Sequence, residues 1–84
     1  MDIFDEAVRF AVEKHSGQTR KMSAAPYVLH PLEVASIVGT MTDDKETLAA
    51  AVLHDTVEDT DATLDEIREK LIKFHIQKYL DVIK

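Results

Sequence analysis

From Leu48 to Leu53 six residues pass without a polar side chain, in the order Leu48-Ala49-Ala50-Ala51-Val52-Leu53. Just upstream, Thr42 or Asp43 can cap a helix, and Asp43 with Glu46 resembles a capping box. The run therefore reads as a helix that is apolar nearly all round, and such a helix has to lie in the centre of a bundle. Only 84 residues share that chain, and a chain of this length buries just ~60–65% of the surface its unfolded form exposes. Within this length there is no room for a second full domain.

The other segments supply helices to surround it. Phe4, Ala7, Val8 and Ala11 recur at i, i+3, i+4 and i+7, one face of a first helix. Asp2 is placed to cap it, with Asp5 three residues on. Lys14, His15 and then Gly17 mark its end near His15–Ser16. Residues 17–29 form the one long loop, where Pro26 biases Ala25 away from helical geometry. Pro31 fits the first turn of a second helix carrying Leu32, Val34, Ala35 and Val38 and ending near Gly39. Thr63 and Glu66 make a further capping box. A fourth helix follows with Leu64, Ile67, Leu71 and Phe74 on one stripe and Ile72, Ile76, Tyr79 and Ile83 on another. The predicted class is all-α, a small bundle of about four helices.

Composition excludes several alternatives. Glycine and proline number two each, too few for the many turns of a sandwich or barrel. Cysteine is absent, which excludes disulfides, thiolate zinc sites and cysteine nucleophiles. The net charge of −6, from 10 Lys+Arg against 16 Asp+Glu, argues against a broad grip on a nucleic-acid backbone but leaves room for one small anion on a local basic patch. No run is long and apolar enough for a membrane span. The first residues carry Asp2, Asp5 and Glu6 where a signal peptide would be basic, so a cytoplasmic location is expected.

Four groups of residues have chemistry to offer. His54-Asp55, at the end of the apolar helix, brings an imidazole beside a carboxylate; this suits a divalent transition metal, or equally a helix-end cation followed by a turn. His30, fixed by Pro31, is either a third ligand or a surface residue at a helix start. Glu58 and Asp59 lie four residues beyond His54 and Asp55, and they either activate a water or form a solvated acidic turn. Arg20 and Lys21 make the densest basic patch in an acidic chain, suited to phosphates or to stacking on a base, or simply exposed to solvent.

The order of these groups is more specific than any one of them. Lys14-His15-Ser16-Gly17-Gln18-x-Arg20-Lys21 is followed by Pro26-Tyr27-x-x-His30-Pro31 and then by Ala50-Ala51-x-Leu53-His54-Asp55-x-Val57-Glu58-Asp59-Thr60. From about Phe4 to Leu71 this resembles the N-terminal part of the HD-type hydrolase of RelA/SpoT-like alarmone enzymes, including the small stand-alone alarmone hydrolases. The resemblance implies an all-helical domain that binds Mn²⁺, or another divalent transition metal, through His30, His54 and Asp55. It implies that Glu58 and Asp59 help to activate water and that Arg20 and Lys21, with Ser23 nearby, hold a guanine nucleotide. The implied reaction removes pyrophosphate from the 3′ position of (p)ppGpp.

The family's fourth ligand is an aspartate dozens of residues beyond the HD pair. Asp81 follows Asp55 too closely to match it, and His75 is a weakly supported surrogate. The ligand set is therefore expected to be incomplete: residues 1–71 correspond to the first half of an HD domain, and 72–84 form a divergent helical tail. With few helices to cover the apolar one, a homodimer is expected, with the fourth helix in the interface. The alternative function is a non-catalytic helical module that acts by dimerisation or nucleotide binding.

Overall fold

A computed structural model of the chain describes residues 2–71. Four helices make up its regular structure: α1 (Ile3–Lys14), α2 (Leu29–Val38), α3 (Lys45–Asp59) and α4 (Leu64–Leu71). There is no strand among the described residues, only an isolated bridge between Thr19 and Pro26. The all-α class expected from sequence holds. The expectations placed on 72–84, namely Phe74 and the second stripe, Asp81, His75 and the divergent tail, lie outside the described residues.

The helix starts show how local chemistry sets the elements. At α1 the Asp2 carboxylate accepts the Asp5 N–H at 2.9 Å and the Asp5 carboxylate accepts the Asp2 N–H at 3.2 Å, a reciprocal box. Thr63 and Glu66 make the same exchange before α4, at 3.0 and 3.1 Å. At α3 the expected cap is corrected by one residue. Asp44, not Thr42 or Asp43, stands extended at the boundary and accepts the Thr47 N–H. Thr42 instead accepts the Asp44 N–H, ordering the approach to the helix.

The apolar helix is central, as expected. On one side Ala49, Ala50 and Leu53 pack with Ile3, Ala7 and Phe10 of α1, with Ala62, and with Ile67 and Leu71 of α4. On the other, Val52 meets Ala11 of α1 and Ala35 of α2, with Phe4, Val8, Val28 and Leu32 around them. Two sequence readings need adjustment. The α1 stripe omitted Ile3 and Phe10, which are buried. And the apolar run of α3 is not buried on every side, because Leu48 and Ala51 are half-buried. Its buried face is covered within a single chain, which removes the reason given for a dimer. Lys14 joins α1 to the start of α4 through Glu66 at 2.8 Å and Asp61 at 3.5 Å.

Helix α3 also runs a turn further than expected. His54-Asp55 does not end it; the helix continues through Glu58 to Asp59. The acidic residues at its end are therefore on a helix, not in a turn, and their directions are set by helical periodicity.

Candidate functional site

The last two turns of α3 present His54, Asp55 and Glu58 at i, i+1 and i+4. One ligand atom from each lies within 4.8 Å of the others. His54 Nδ1 is 3.7 Å from Asp55 Oδ1, and its Nε2 is 3.8 Å from Glu58 Oε1. His30 reaches the same aspartate from α2, its Nε2 being 3.2 Å from Asp55 Oδ2. The Asp55 carboxylate thus faces an imidazole on each oxygen, and its side chain is only 17% exposed. Proline at position 31 fixes the backbone just after His30, so the α2 side of this meeting is stiff.

The donor set fits a divalent cation. Imidazole nitrogen and carboxylate oxygen are the ligands that Mn, Fe, Co, Ni and Zn share. Two atoms bound to one ion at about 2.0–2.2 Å stand at most about 4.4 Å apart, so the spacings at His54, Asp55 and Glu58 need little adjustment to share one.

Beside this cluster the loop between α1 and α2 forms an open cleft of about 480 Å³, lined by Thr19, Arg20, Lys21, Tyr27 and His30. The loop is a tight hairpin. Gly17 starts it at a φ of +86°, where a side chain would be strained. The Arg20 N–H donates to Ala25 O and the Tyr27 N–H to Gln18 O, both at 2.9 Å. Arg20 is held by Glu33 of α2 at 2.7 Å. Of the expected nucleotide-binding residues, Arg20 and Lys21 line the cleft. Ser23 does not; its hydroxyl accepts the Ala25 N–H within its own turn.

The carboxylates Glu58 and Asp59 are separated by the structure. Glu58 stays beside His54, whereas Asp59 points to the loop and accepts the Tyr27 hydroxyl at 2.7 Å. Sequence reasoning gave Tyr27 no contact and read His15 only as marking the end of the first helix. His15 does cap α1, and it is also 2% exposed. Its Nδ1 lies 2.8 Å from Gln18 Oε1 and its Nε2 3.2 Å from Thr56 Oγ1. Tyr27 stands between the rings of His15 and His30, at 5.3 and 5.8 Å. Nothing in the sequence marks the Tyr27–Asp59 and His15–Thr56 pairings, because the partners are 32 and 41 residues apart.

The bond to Asp59 pushes the Tyr27 phenol up to about 12, helped by burial and by the negative charge of Asp59 and Asp55 and opposed by Arg20. The folded state therefore favours the protonated phenol. The stability this contributes is present below the ordinary tyrosine value of about 10 and is lost as pH rises through about 12. An ultraviolet titration of the Tyr79→Phe chain, in which Tyr27 is the remaining tyrosine, should find its midpoint near 12, and Asp59→Ala should return it toward about 10. A midpoint unmoved by Asp59→Ala would deny the bond.

The chain matches the family model described as HD domain over residues 7–73. It is 52% identical over 64 residues to the guanosine-3′,5′-bis(diphosphate) 3′-pyrophosphohydrolase of Aquifex aeolicus, covering 76% of this chain and 9% of that protein. It is 45% identical over 69 residues to a GTP pyrophosphokinase of Myxococcus xanthus, covering 82% of this chain and 9% of the relative. To the GTP pyrophosphokinase rsh of Brucella ovis it is 49% identical over 65 residues, 77% of this chain and 8% of the relative. The chain thus spans less than a tenth of the length of these curated relatives.

Proposed function

The chain belongs to the HD-domain family, and from that membership we propose a metal-dependent phosphohydrolase that removes pyrophosphate from the 3′ position of (p)ppGpp, leaving GDP or GTP. The observation that carries this reading is the junction at His30. One wall of the basic cleft is the same imidazole that faces Asp55 of the carboxylate cluster. A nucleotide whose phosphates lie along Arg20 and Lys21 would meet His30, and beyond it Asp55.

In this reading His30, His54 and Asp55 hold the cation, for which Mn²⁺ is proposed. Bound there, the cation supplies a Lewis acid for a phosphate oxygen and makes a nearby water more acidic. Glu58, beside His54, takes the proton as the water oxygen bonds to the phosphorus adjoining the 3′ oxygen. The bond from that phosphorus to the 3′ oxygen breaks, the water oxygen stays on the released pyrophosphate, and the 3′ oxygen leaves as a hydroxyl with the proton that Glu58 took. Arg20 and Lys21 neutralise the phosphates, the role for which planar guanidinium and compact ammonium groups are suited. The fourth ligand that the resemblance implies is not placed among the described residues. A cytoplasmic setting and pairing of two chains belong to the same proposal; the exposed Ile37 and Met41 supply apolar surface for pairing. No helix among the described residues is long and apolar enough to cross a membrane.

The test is pyrophosphate release from ppGpp by the purified chain with excess Mn²⁺. Release should stop with a chelator and return when Mn²⁺ is restored. Release that persists after metal removal would refute the metal-dependent mechanism. ppGpp bound but never cleaved, at any metal concentration, would favour the non-catalytic module.

A further inference from the structure

Asp59 is the last residue of α3, and both its polar ends are taken up by the loop. Its main-chain oxygen accepts the Gln18 side-chain amide at 3.0 Å. Its carboxylate accepts the Tyr27 hydroxyl at 2.7 Å. Gln18 and Tyr27 flank the Thr19–Pro26 bridge and are joined to one another by the Tyr27 N–H donating to Gln18 O. They are the two ends of the segment that carries Arg20 and Lys21.

We infer that Asp59 is a positioning residue, the anchor that fixes the basic loop to α3, and that Glu58 alone of the two carboxylates is placed to take a proton from water. The anchoring stands on this geometry. Its consequence for nucleotide rests on the hydrolase reading above.

The grip on the Gln18 side is itself built into the core. Since Gln18 Nε2 donates to Asp59 O, its Oε1 faces His15 and accepts from Nδ1–H. The other ring nitrogen meets the buried Thr56 hydroxyl, one turn before Asp59 on α3. The loop is therefore pinned to consecutive turns of α3, at Thr56 through His15 and at Asp59 through Gln18 and Tyr27. The Asp59 carboxylate is turned to the loop, where it accepts the Tyr27 hydroxyl. Glu58 instead stands in the cluster, 3.8 Å from His54 and with a ligand atom within 4.8 Å of Asp55.

Amide hydrogen exchange of Arg20 and Tyr27 tests the anchor with no ligand present, since both amides are bonded within the loop. Loss of a hydrogen bond to a charged group should speed local opening, so Asp59→Ala and Tyr27→Phe are each expected to raise both rates by about tenfold or more. The double variant should exchange no faster than Asp59→Ala, because the two remove one interaction. Asp59→Asn keeps an acceptor oxygen and should stay within about threefold of the wild-type chain. Calorimetry with GDP should show its affinity falling in the same order as loop protection. Unchanged exchange in both Asp59→Ala and Tyr27→Phe, additive effects, or Asn behaving as Ala would each overturn the anchor. A wild-type chain that bound no GDP would count against the hydrolase reading, and the exchange rates would still decide the anchor.

Discussion

Glu58→Gln is expected to lower pyrophosphate release from ppGpp by about 10²–10⁴-fold, the usual worth of a positioned general base. The substitution keeps the size of the side chain and an oxygen toward His54, but an amide cannot take a proton at neutral pH. The effect should fall on turnover and leave Mn²⁺ affinity, measured by calorimetry, within a few-fold of the wild-type chain. That split matters because Glu58 belongs to the group of three side chains whose ligand atoms lie within 4.8 Å of each other. If Mn²⁺ affinity drops together with turnover, Glu58 is a ligand and the proton goes elsewhere. If neither changes, Glu58 has no part in the reaction. His54→Ala is the companion variant: it removes an imidazole from the cluster and should weaken Mn²⁺ binding itself.

What the sequence disclosed follows the range of each interaction. The boxes Asp2–Asp5 and Thr63–Glu66 join residues three apart, so residue type and spacing suffice to see them. At the third helix Thr42, Asp43 and Asp44 are three cap formers in succession, and spacing alone does not choose; the extended backbone at Asp44 does. The His54-Asp55 dipeptide was visible and His30 was a candidate third ligand with a surface alternative; its approach to Asp55 joins two helices, which spacing alone does not show. His15 and Tyr27 stayed hidden for the same reason. Their partners Thr56 and Asp59 lie on a helix that the linear pattern places far away, and a histidine next to a lysine at a helix end looks like a solvated cation until its burial is known. Glu58 and Asp59 adjoin in sequence, yet their side chains have different neighbours. Successive helical residues point about 100° apart, which turns one toward His54 and the other toward the loop.

Leu53→Ala is expected to leave the chain largely unfolded near its present melting temperature. The core is built mostly of small side chains, with Ala7, Ala11, Ala35 and Ala49 each at most 4% exposed. Apolar volume is therefore concentrated in a few residues, and Leu53 is among the largest fully buried ones. It packs where α1, α3 and α4 meet, so no single neighbour can close the gap. A buried Leu→Ala change costs roughly 2–5 kcal/mol, while a domain of this length has only about 4–13 kcal/mol to lose. Leu53 also directly precedes His54 and Asp55, so melting of this turn of α3 disperses the metal cluster, and Mn²⁺ binding should fall in step with helicity by circular dichroism. Ile37→Ala supplies the contrast. Ile37 is 64% exposed, and in a lone chain its truncation should shift stability by no more than about 0.5 kcal/mol. A Leu53→Ala chain that melted like the wild type would show that α3 does not organise the core. An Ile37→Ala chain with a large loss that disappears on dilution would locate Ile37 in a contact between two chains, because stability drawn from association depends on protomer concentration and stability drawn from a core does not.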